Sequence, residues 1–222
     1  MIAEIVPAGV SCAYRRGPGG RPPALLAAEA AALGTVGRAR FRDFAEGRSC
    51  ARRALRGLGY PPGPVLPGPD REPVWPPGAV GSITHCARYW AAAAVHRGDL
   101  AALGIDAEVH AGLPRGILDK VASQAERAGM ANLPDGACWD RILFSAKESV
   151  YKAWFPVARA WLGFLDAVVT FDPPSRAFEA ELLVGGMIVE GRRVRRLAGR
   201  FLARDGLIVT AAWAPDDRVS WF

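Results

Sequence analysis

The chain has very little lysine. Lysine and arginine together account for 28 of its 222 residues, but only Lys120, Lys147 and Lys152 are lysine. Two of these three lie in one short stretch, FSAKESVYKAW, at residues 144–154. An ammonium group suits contact with a phosphoryl oxygen or transfer of a proton, and a planar guanidinium that stays protonated cannot replace it there. This stretch is therefore a candidate phosphate-binding or catalytic segment.

Other absences narrow the class of protein. The four cysteines, Cys12, Cys50, Cys86 and Cys138, stand singly without a CxxC pair, so neither a zinc site nor a disulfide framework is predicted. The N-terminal stretch MIAEIVPAGVSC has no basic region followed by an uninterrupted apolar run, which makes it a poor signal peptide. No apolar run is long enough to span a bilayer. These features predict a soluble cytoplasmic protein with reduced thiols.

The balance of charge is basic. A net charge of +6 and a pI near 9.5 favour an acidic partner or a phosphate-rich ligand. Nucleic acid is one candidate, but the chain has no RNP-like, zinc-finger or helix-turn-helix pattern and its basic residues are spread out.

The first half of the chain predicts helices followed by strands. Residues 24–60 are rich in alanine and leucine and predict two helices, the second ending near Gly57 or Gly59. Residues 61–78 are dense in proline and glycine and predict an extended loop. Strands are expected at 79–86 and 88–97, followed by an apolar run at 100–109.

The second half predicts helices followed by an antiparallel sheet. One helix is expected over 116–129 and another over 137–156, closed by Pro156. Three stretches with strand-like alternation follow, at 165–172, 177–184 and 206–214. Helix and strand content on both sides of 105–112 predicts an α/β (α+β) fold with two subdomains, residues 1–107 and 108–222.

The stretch GIDAE carries two closely spaced acids. In a strand, Asp106 and Glu108 project to one face, about 7 Å apart at the backbone, while Ile105 and Ala107 face the other way. Two such carboxylates at the end of a buried strand suit a hard cation such as Mg²⁺. A solvated strand end accounts for the same pattern, so the motif alone does not decide between them.

On a helical wheel, the stretch around FSAKESVYKAW places Glu148 and Lys152 one turn apart, opposite an apolar stripe and beside Ser145. An exposed ion pair worth only ~0.3–0.5 kcal/mol explains this spacing equally well, but arginine would serve such a pair as well as lysine does. A third stretch, GSITHC, brings Thr84 and His85 to the end of a small-residue strand that a ligand can approach closely.

Together these stretches resemble the paired motifs of the 4′-phosphopantetheinyl transferases, approximately G-(I/V)-D-x-E followed by (F/W)-x-x-K-E-(A/S)-x-x-K. The stretches WPPGAVGSITHC and GRSCARRAL resemble those of the enterobactin-synthase-associated branch of the Sfp-type enzymes. The resemblance covers about residues 38–172. The matching motif positions are Gly104, Asp106, Glu108, Phe144, Lys147, Glu148, Ser149 and Lys152.

The resemblance implies transfer of phosphopantetheine from coenzyme A to a serine of an acyl or peptidyl carrier protein. It implies that Asp106, Glu108 and Glu148 hold Mg²⁺ or Mn²⁺, with Glu148 as base and Lys152 on the phosphates and leaving oxygen. Lys147 is expected to have a supporting role. The remaining expected coenzyme A contacts are Arg40, Arg48, Arg71, Thr84, His85 and Asp106.

The resemblance also implies two similar subdomains in a pseudo-twofold arrangement, with the cofactor in the cleft between them, and an active monomer. Two other functions fit the composition. One is a non-catalytic basic binding module, and the other is a Mg²⁺-dependent hydrolase of nucleotide pyrophosphates.

Overall fold

In a computed structural model, which describes residues 1–18, 20–189 and 191–214, the chain folds around two larger antiparallel sheets, to which two small two-stranded sheets are added. After a short 3₁₀ turn at Ile2–Glu4, the first half contains these elements: β1 (Ser11–Arg16), α1 (Ala27–Leu33), α2 (Arg38–Gly57), β2 (Leu66–Pro67), β3 (Pro73–Val74), β4 (Ala79–Cys86) and β5 (Tyr89–His96). The two predicted helices and both predicted strands of this half are present. The predicted loop at 61–78 contains only the two-residue strands β2 and β3.

The first sheet has the strand order β1-β5-β4, and α2 packs on one of its faces. Close packing is possible because the contact is built from small side chains, including Ala51 and Ala54 on α2 and Ala92 and Ala94 on β5. The other face of β5 is also buried, against residues of the second half. A strand covered on both faces accounts for the continuous apolar run WAAAAV.

The second half begins with a strand and continues through three helices into a sheet. Its elements are β6 (Leu103–Val109), α3 (Leu118–Val121), α4 (Gln124–Met130), α5 (Trp139–Ala158), a 3₁₀ turn (Phe164–Asp166), β7 (Ala167–Asp172), β8 (Ala177–Leu182), β9 (Met187–Val189), β10 (Arg192–Val194), β11 (Arg196–Arg204) and β12 (Leu207–Trp213). The second sheet has the order β6-β12-β11-β8-β7, and α5 packs across it. The predicted α/β (α+β) class is confirmed, while the pseudo-twofold relation between the halves stays a prediction.

Strand β6 lies at the seam between the two halves. It is an edge strand of the second sheet, paired with β12, and its other edge lies beside β4. The backbone N–H of Ile105 donates to Ser82 Oγ of β4 at 3.0 Å. The side chains of Leu103, Ile105 and Ala107 join the core beneath the first sheet. The predicted subdomain boundary after residue 107 falls within this strand and stays a prediction.

Two predicted elements need correction. The helix expected over 116–129 is two helices, because Ser123 and Glu126 form a capping box that begins a new helix at Gln124. Pro156 does not end α5, which continues to Ala158. Proline keeps a helical φ and removes only one backbone donor, and the following turn is held by Trp154 Nε1, which donates to the carbonyl of Ala160 at 2.9 Å.

The strand β11 was not predicted, although it pairs with both β8 and β12 in the sheet. Its sequence, RLAGRFLAR, contains one glycine, two alanines and three arginines, so the alternation of large apolar and polar side chains is weak. Partners on both sides compensate for that weak local preference.

Candidate active site

Helix α5 and strand β6 approach each other closely, and this contact forms one wall of the site. The contact occurs at Gly104, where an added Cβ would collide with the carbonyl oxygen of Ser149 and lie 2.6 Å from the backbone nitrogen of Ala153. Only glycine leaves room for this approach. The side chain of Asp106, two residues further along β6 and on the same face, therefore lies against α5.

Asp106 is the centre of a polar cluster. Its side chain is only 6% exposed and accepts three side-chain hydrogen bonds. Ser145 Oγ donates to Oδ2 at 2.8 Å, while Lys152 Nζ and Thr84 Oγ1 donate to Oδ1 at 2.6 Å and 3.2 Å. A buried carboxylate needs such donors, because burial without them is very costly. The cluster joins β4, β6 and α5.

Lys152 forms its ion pair with Asp106, which joins α5 to β6. Among the ion pairs of the described residues, none joins Lys152 to Glu148, one turn earlier on the same helix. The side chain of Lys152 is 28% exposed, so it is partly accessible from outside. An isolated, exposed helix-surface pair, the simpler explanation of the E-x-x-x-K spacing, is therefore not what the structure has.

Burial and neighbouring charges shift the pKa values of Glu148 and Glu108. Burial raises the pKa of Glu148, Lys152 lowers it, and the charges of Asp106 and Glu108 raise it again. Burial also raises the pKa of Glu108, with a further rise from Asp106 that Arg141 partly offsets. The three predicted metal ligands therefore lie near enough to repel one another, which is the electrostatic situation that a divalent cation relieves.

The carboxylates do not form a coordination cluster as their side chains stand. Among the residues that the structure describes, no three histidine, cysteine or acidic side chains are gathered closely enough to hold a metal ion. Asp106 is bonded to Lys152, and Glu108 accepts from Arg141 Nη1 at 2.9 Å. The three carboxylates supply the oxygen ligands that Mg²⁺ requires. Two of them, Asp106 and Glu108, are paired with Lys152 and Arg141.

Arg141 was not predicted as a site residue. Besides Glu108, its guanidinium donates to the backbone carbonyls of Ala111 and Gly112 at 3.1 Å each, which holds the segment after β6 against α5. The sequence does contain a signal for it, because residue 141 precedes Glu148 by seven positions and so lies on the same helix face two turns earlier.

A second group of predicted residues surrounds a separate cavity of about 420 Å³. Arg40 and Arg48 from α2, Arg71 from the loop between β2 and β3, and His85 from β4 all line it. Arg48 is buried, with its guanidinium 4.2 Å from the centre of the Phe44 ring. Three guanidinium groups around one cavity suit a phosphate dianion.

Burial perturbs two of these groups. It lowers the pKa of Arg48 to about 10, so its guanidinium stays charged at neutral pH. It also lowers the pKa of His85, although Asp43, whose Oδ2 lies 4.0 Å from Nδ1, partly offsets the shift. Burial therefore favours the neutral form of His85 in the absence of a ligand.

Two further features lie beside these groups. Lys147 is buried, with Nζ donating to Glu126, to the carbonyl of Val121 and to the carbonyl of Phe164 at 2.9, 2.9 and 2.6 Å. A cavity of about 140 Å³ lies beside the same helix turn and is lined by Lys147, Glu148, Tyr151 and Trp161, among others. Trp161 is 78% exposed.

The structure therefore brings the predicted residues together in two groups. Thr84, Asp106 and Lys152 are in direct contact, with Glu108 and Glu148 close enough to act on them electrostatically. Arg40, Arg48, Arg71 and His85 line the second cavity. Lys152 also acts on the pKa of His85, so the two groups are neighbours across β4.

Comparison with known proteins identifies the family of the chain. Residues 28–95 match the family model of the 4′-phosphopantetheinyl transferase N-terminal domain, and residues 102–186 match that of the 4′-phosphopantetheinyl transferase superfamily. The 4′-phosphopantetheinyl transferase Svp of Streptomyces mobaraensis is 45% identical over 216 residues, covering 95% of this chain and 88% of Svp. PptT of Mycobacterium tuberculosis is 42% identical over 221 residues, covering 95% of this chain and 96% of PptT.

The enterobactin synthase component D of Salmonella typhimurium is a more partial match, 37% identical over 128 residues, which are 55% of this chain and 51% of that protein. The two family models together span most of the helices and strands that build both groups of residues, from α1 to β8. The chain belongs to the 4′-phosphopantetheinyl transferase family.

Proposed function

We propose that this transferase moves the 4′-phosphopantetheine moiety of coenzyme A to a serine hydroxyl of an apo acyl or peptidyl carrier protein and releases 3′,5′-adenosine bisphosphate. The observation that carries the proposal is the arrangement of two groups of charged side chains on either side of β4. The Asp106–Lys152 cluster lies on one side and the arginine-lined cavity on the other. Coenzyme A has a pyrophosphate and a separate 3′-phosphate, which match two such groups.

The adenosine 3′-phosphate is assigned to the arginine-lined cavity. Arg48 is held in place by its Nε hydrogen bond to the carbonyl of Val65 and by the Phe44 ring. Its side chain therefore loses less conformational entropy when the ligand binds. Arg40, Arg71 and His85 complete the set of donors around the same cavity. Guanidinium groups bind phosphate through paired hydrogen bonds, which also fixes its orientation.

A divalent cation, Mg²⁺ or Mn²⁺, is assigned to Asp106, Glu108 and Glu148. Their oxygen ligands and their mutual repulsion fit a hard dication. When bound, such an ion neutralises charge on the pyrophosphate oxygens and polarises the phosphorus. In its absence, Lys152 and Arg141 supply positive charge to two of the three carboxylates.

The residues of α5 are assigned the proton transfers. The serine oxygen forms a bond to the phosphorus that carries the pantetheine arm, and the bond from that phosphorus to the adenosine-side phosphate oxygen breaks. Glu148, which burial makes a stronger base, takes the serine proton. Lys152 contacts the phosphates and gives a proton to the leaving oxygen.

The experiment is incubation with coenzyme A and Mg²⁺, with and without a panel of apo-carrier proteins, followed by intact mass analysis. Addition of a phosphopantetheine mass to a carrier supports the transfer. A nucleotide pyrophosphate hydrolase would consume coenzyme A without any carrier. A basic binding module would consume none, and its binding would weaken steeply with salt and not require Mg²⁺.

The proposal extends to the setting of the enzyme. Partners are carrier proteins of fatty-acid, polyketide, nonribosomal-peptide or siderophore synthesis, and neither nucleic acid nor membrane takes part. We place the enzyme in the cytoplasm as a monomer, with residues 1–107 contacting the adenosine end of coenzyme A and residues 108–222 carrying the catalytic helix. In the described part of the chain, no helix is both long and apolar enough to cross a membrane.

A further inference from the structure

A chain of hydroxyl groups runs through the core beneath Asp106. Thr210 lies directly opposite Asp106 in the ladder between β12 and β6. Its Oγ1 lies 2.9 Å from Ser145 Oγ and donates to the carbonyl of Ser145 at 2.8 Å. Ser145 Oγ in turn lies 2.8 Å from Asp106 Oδ2. Ser145 and Thr210 are fully buried, and Asp106 is nearly so.

Counting protons fixes the direction of these bonds. Ser145 has one hydroxyl proton, and Asp106 is an ionised acceptor, so the proton of Ser145 goes to the carboxylate. Thr210 must then be the donor in its contacts with Ser145, either to the hydroxyl or to the carbonyl. In either case Thr210 donates to Ser145, and the Ser145 hydroxyl donates to Asp106 Oδ2.

These hydroxyl groups determine how the two oxygens of Asp106 are used. Oδ2 is held from the interior, and Oδ1 accepts from Lys152 and Thr84. The proposed function assigns a divalent cation to Asp106, and Oδ1 is the oxygen that is not bonded to the interior hydroxyl. Groups that orient a ligand from behind matter for metal sites, since their loss commonly costs ten- to a hundredfold in metal affinity.

We propose that Ser145 and Thr210 are positioning residues that fix the Asp106 carboxylate so that Oδ1 is presented to the cation. This inference rests on the proposed function. It assigns no direct contact with substrate or ion to either residue. It also gives a role to the single polar residue in the otherwise apolar strand β12, LIVTAAW.

The test measures Mn²⁺ binding by electron paramagnetic resonance of the free ion, with and without coenzyme A. Ser145→Ala is expected to raise the Mn²⁺ dissociation constant about tenfold or more. Thr210→Val, which keeps the side-chain shape but removes the hydroxyl, should raise it by a smaller factor in the same direction. Thr210→Ser, which keeps the hydroxyl, should bind Mn²⁺ as the wild type does.

Ser149→Ala is the matched control. Ser149 is equally buried on the same helix, and its hydroxyl donates to the carbonyl of Ala146 at 2.7 Å rather than to Asp106. It should leave the Mn²⁺ dissociation constant unchanged. Activity of Ser145→Ala should recover in part at high Mg²⁺ concentration, which a defect of folding alone would not produce.

Several outcomes overturn the proposal. Wild-type-like Mn²⁺ affinity in Ser145→Ala would do so, as would equal weakening in Thr210→Ser and Thr210→Val, or equal weakening in Ser149→Ala. If Ser145→Ala fails to fold, the Mn²⁺ affinities of Thr210→Val and Thr210→Ser test the proposal by themselves. A wild-type protein that transfers phosphopantetheine but binds no Mn²⁺ refutes this inference and leaves the proposed transfer standing.

Discussion

Neighbouring residues in β4 serve different parts of the site. The hydroxyl of Thr84 points to Asp106 and Lys152, whereas His85, the next residue, lines the cavity of Arg40 and Arg48. Successive side chains of a strand point to opposite faces, so a single short strand contributes to both groups. Both residues were predicted to contact coenzyme A, and these contacts stay predictions.

Replacing Lys152 by arginine should nearly abolish transfer while leaving the fold intact. The ammonium bonds Asp106 Oδ1 at 2.6 Å, and a longer, planar guanidinium cannot take the same position or give up a proton. Because positive charge is retained at a partly exposed position, stability should change by less than ~1 kcal/mol. The measurements are the rate of carrier modification at saturating Mg²⁺ and the melting temperature.

Lys120→Arg is the matched control, since Lys120 is exposed on α3. It should behave as the wild type in both assays. A near-normal rate in Lys152→Arg, or a loss of activity explained by unfolding, would contradict the role assigned to Lys152.

The affinity for coenzyme A should depend on pH through His85. Burial lowers the pKa of the free imidazole, with Asp43 raising it and Lys152 and Arg40 lowering it further. A bound 3′-phosphate favours the imidazolium form and therefore raises this pKa. Binding should take up a proton and become tighter as the pH falls from about 8 to about 6.

Calorimetric titration of wild type and His85→Gln across this range checks the prediction. The phosphate itself titrates here, so the quantity that matters is the difference between the two pH profiles. The wild type should gain more affinity than His85→Gln as the pH falls. Parallel profiles would show that His85 does not sense the bound phosphate.

At the scale of elements, the site depends on how closely α5 approaches β6. Asp106 belongs to the strand, and Glu148 and Lys152 belong to the helix, so their relative positions follow from the packing of these two elements. Gly104 sets the separation, because any side chain there meets the backbone of α5. The close packing of α5 on β6 thus requires the glycine of the GIDAE motif, independently of the acids that follow it.

Gly104→Ala should therefore damage both stability and activity. The added methyl group forces α5 away from β6, and overpacking of this kind costs about 1–3 kcal/mol. Transfer should fall more steeply than stability, because Asp106 and Lys152 are pulled apart. Chemical denaturation and the carrier-modification rate measure the two effects.

Gly98→Ala provides the comparison, because an added Cβ at Gly98 meets nothing within 4 Å and its backbone is outside the left-handed region. It should have little effect on either measurement. Similar losses in the two variants would show that the close contact at Gly104 does not control the site.

At the scale of the whole molecule, one chain supplies both groups of residues. The arginine-lined cavity is formed by elements of the first half, and the carboxylates are on elements of the second half, with β4 and β6 side by side at the seam. No second copy is needed to bring these groups together.

We therefore expect an active monomer. Sedimentation equilibrium should give a mass near 23.7 kDa at concentrations where the enzyme transfers phosphopantetheine. Activity that appears only in a trimeric fraction, and is lost on dilution to monomer, would contradict this expectation.

The sequence by itself determined the family, the α/β class and most of the elements. The acids of GIDAE and the pair Glu148 and Lys152 were found because their spacing follows the periods of a strand and a helix. The stretch FSAKESVYKAW was singled out because it holds two of the three lysines. The two helices of the first half and its strands β4 and β5 were also predicted, since apolar runs and proline-rich breaks mark them locally, whereas β1 was not.

The tertiary structure decided the partners of these residues. Lys152 pairs with Asp106 rather than Glu148, Arg141 pairs with Glu108, and Thr210 lies beneath Asp106, because α5, β6 and β12 pack together from distant parts of the chain. The strand β11 likewise depends on neighbours remote in sequence. The break at Ser123, by contrast, comes from a local capping box with Glu126. Local periodicity sets which face a side chain takes, whereas its contact partners follow from packing between elements that the sequence pattern does not encode.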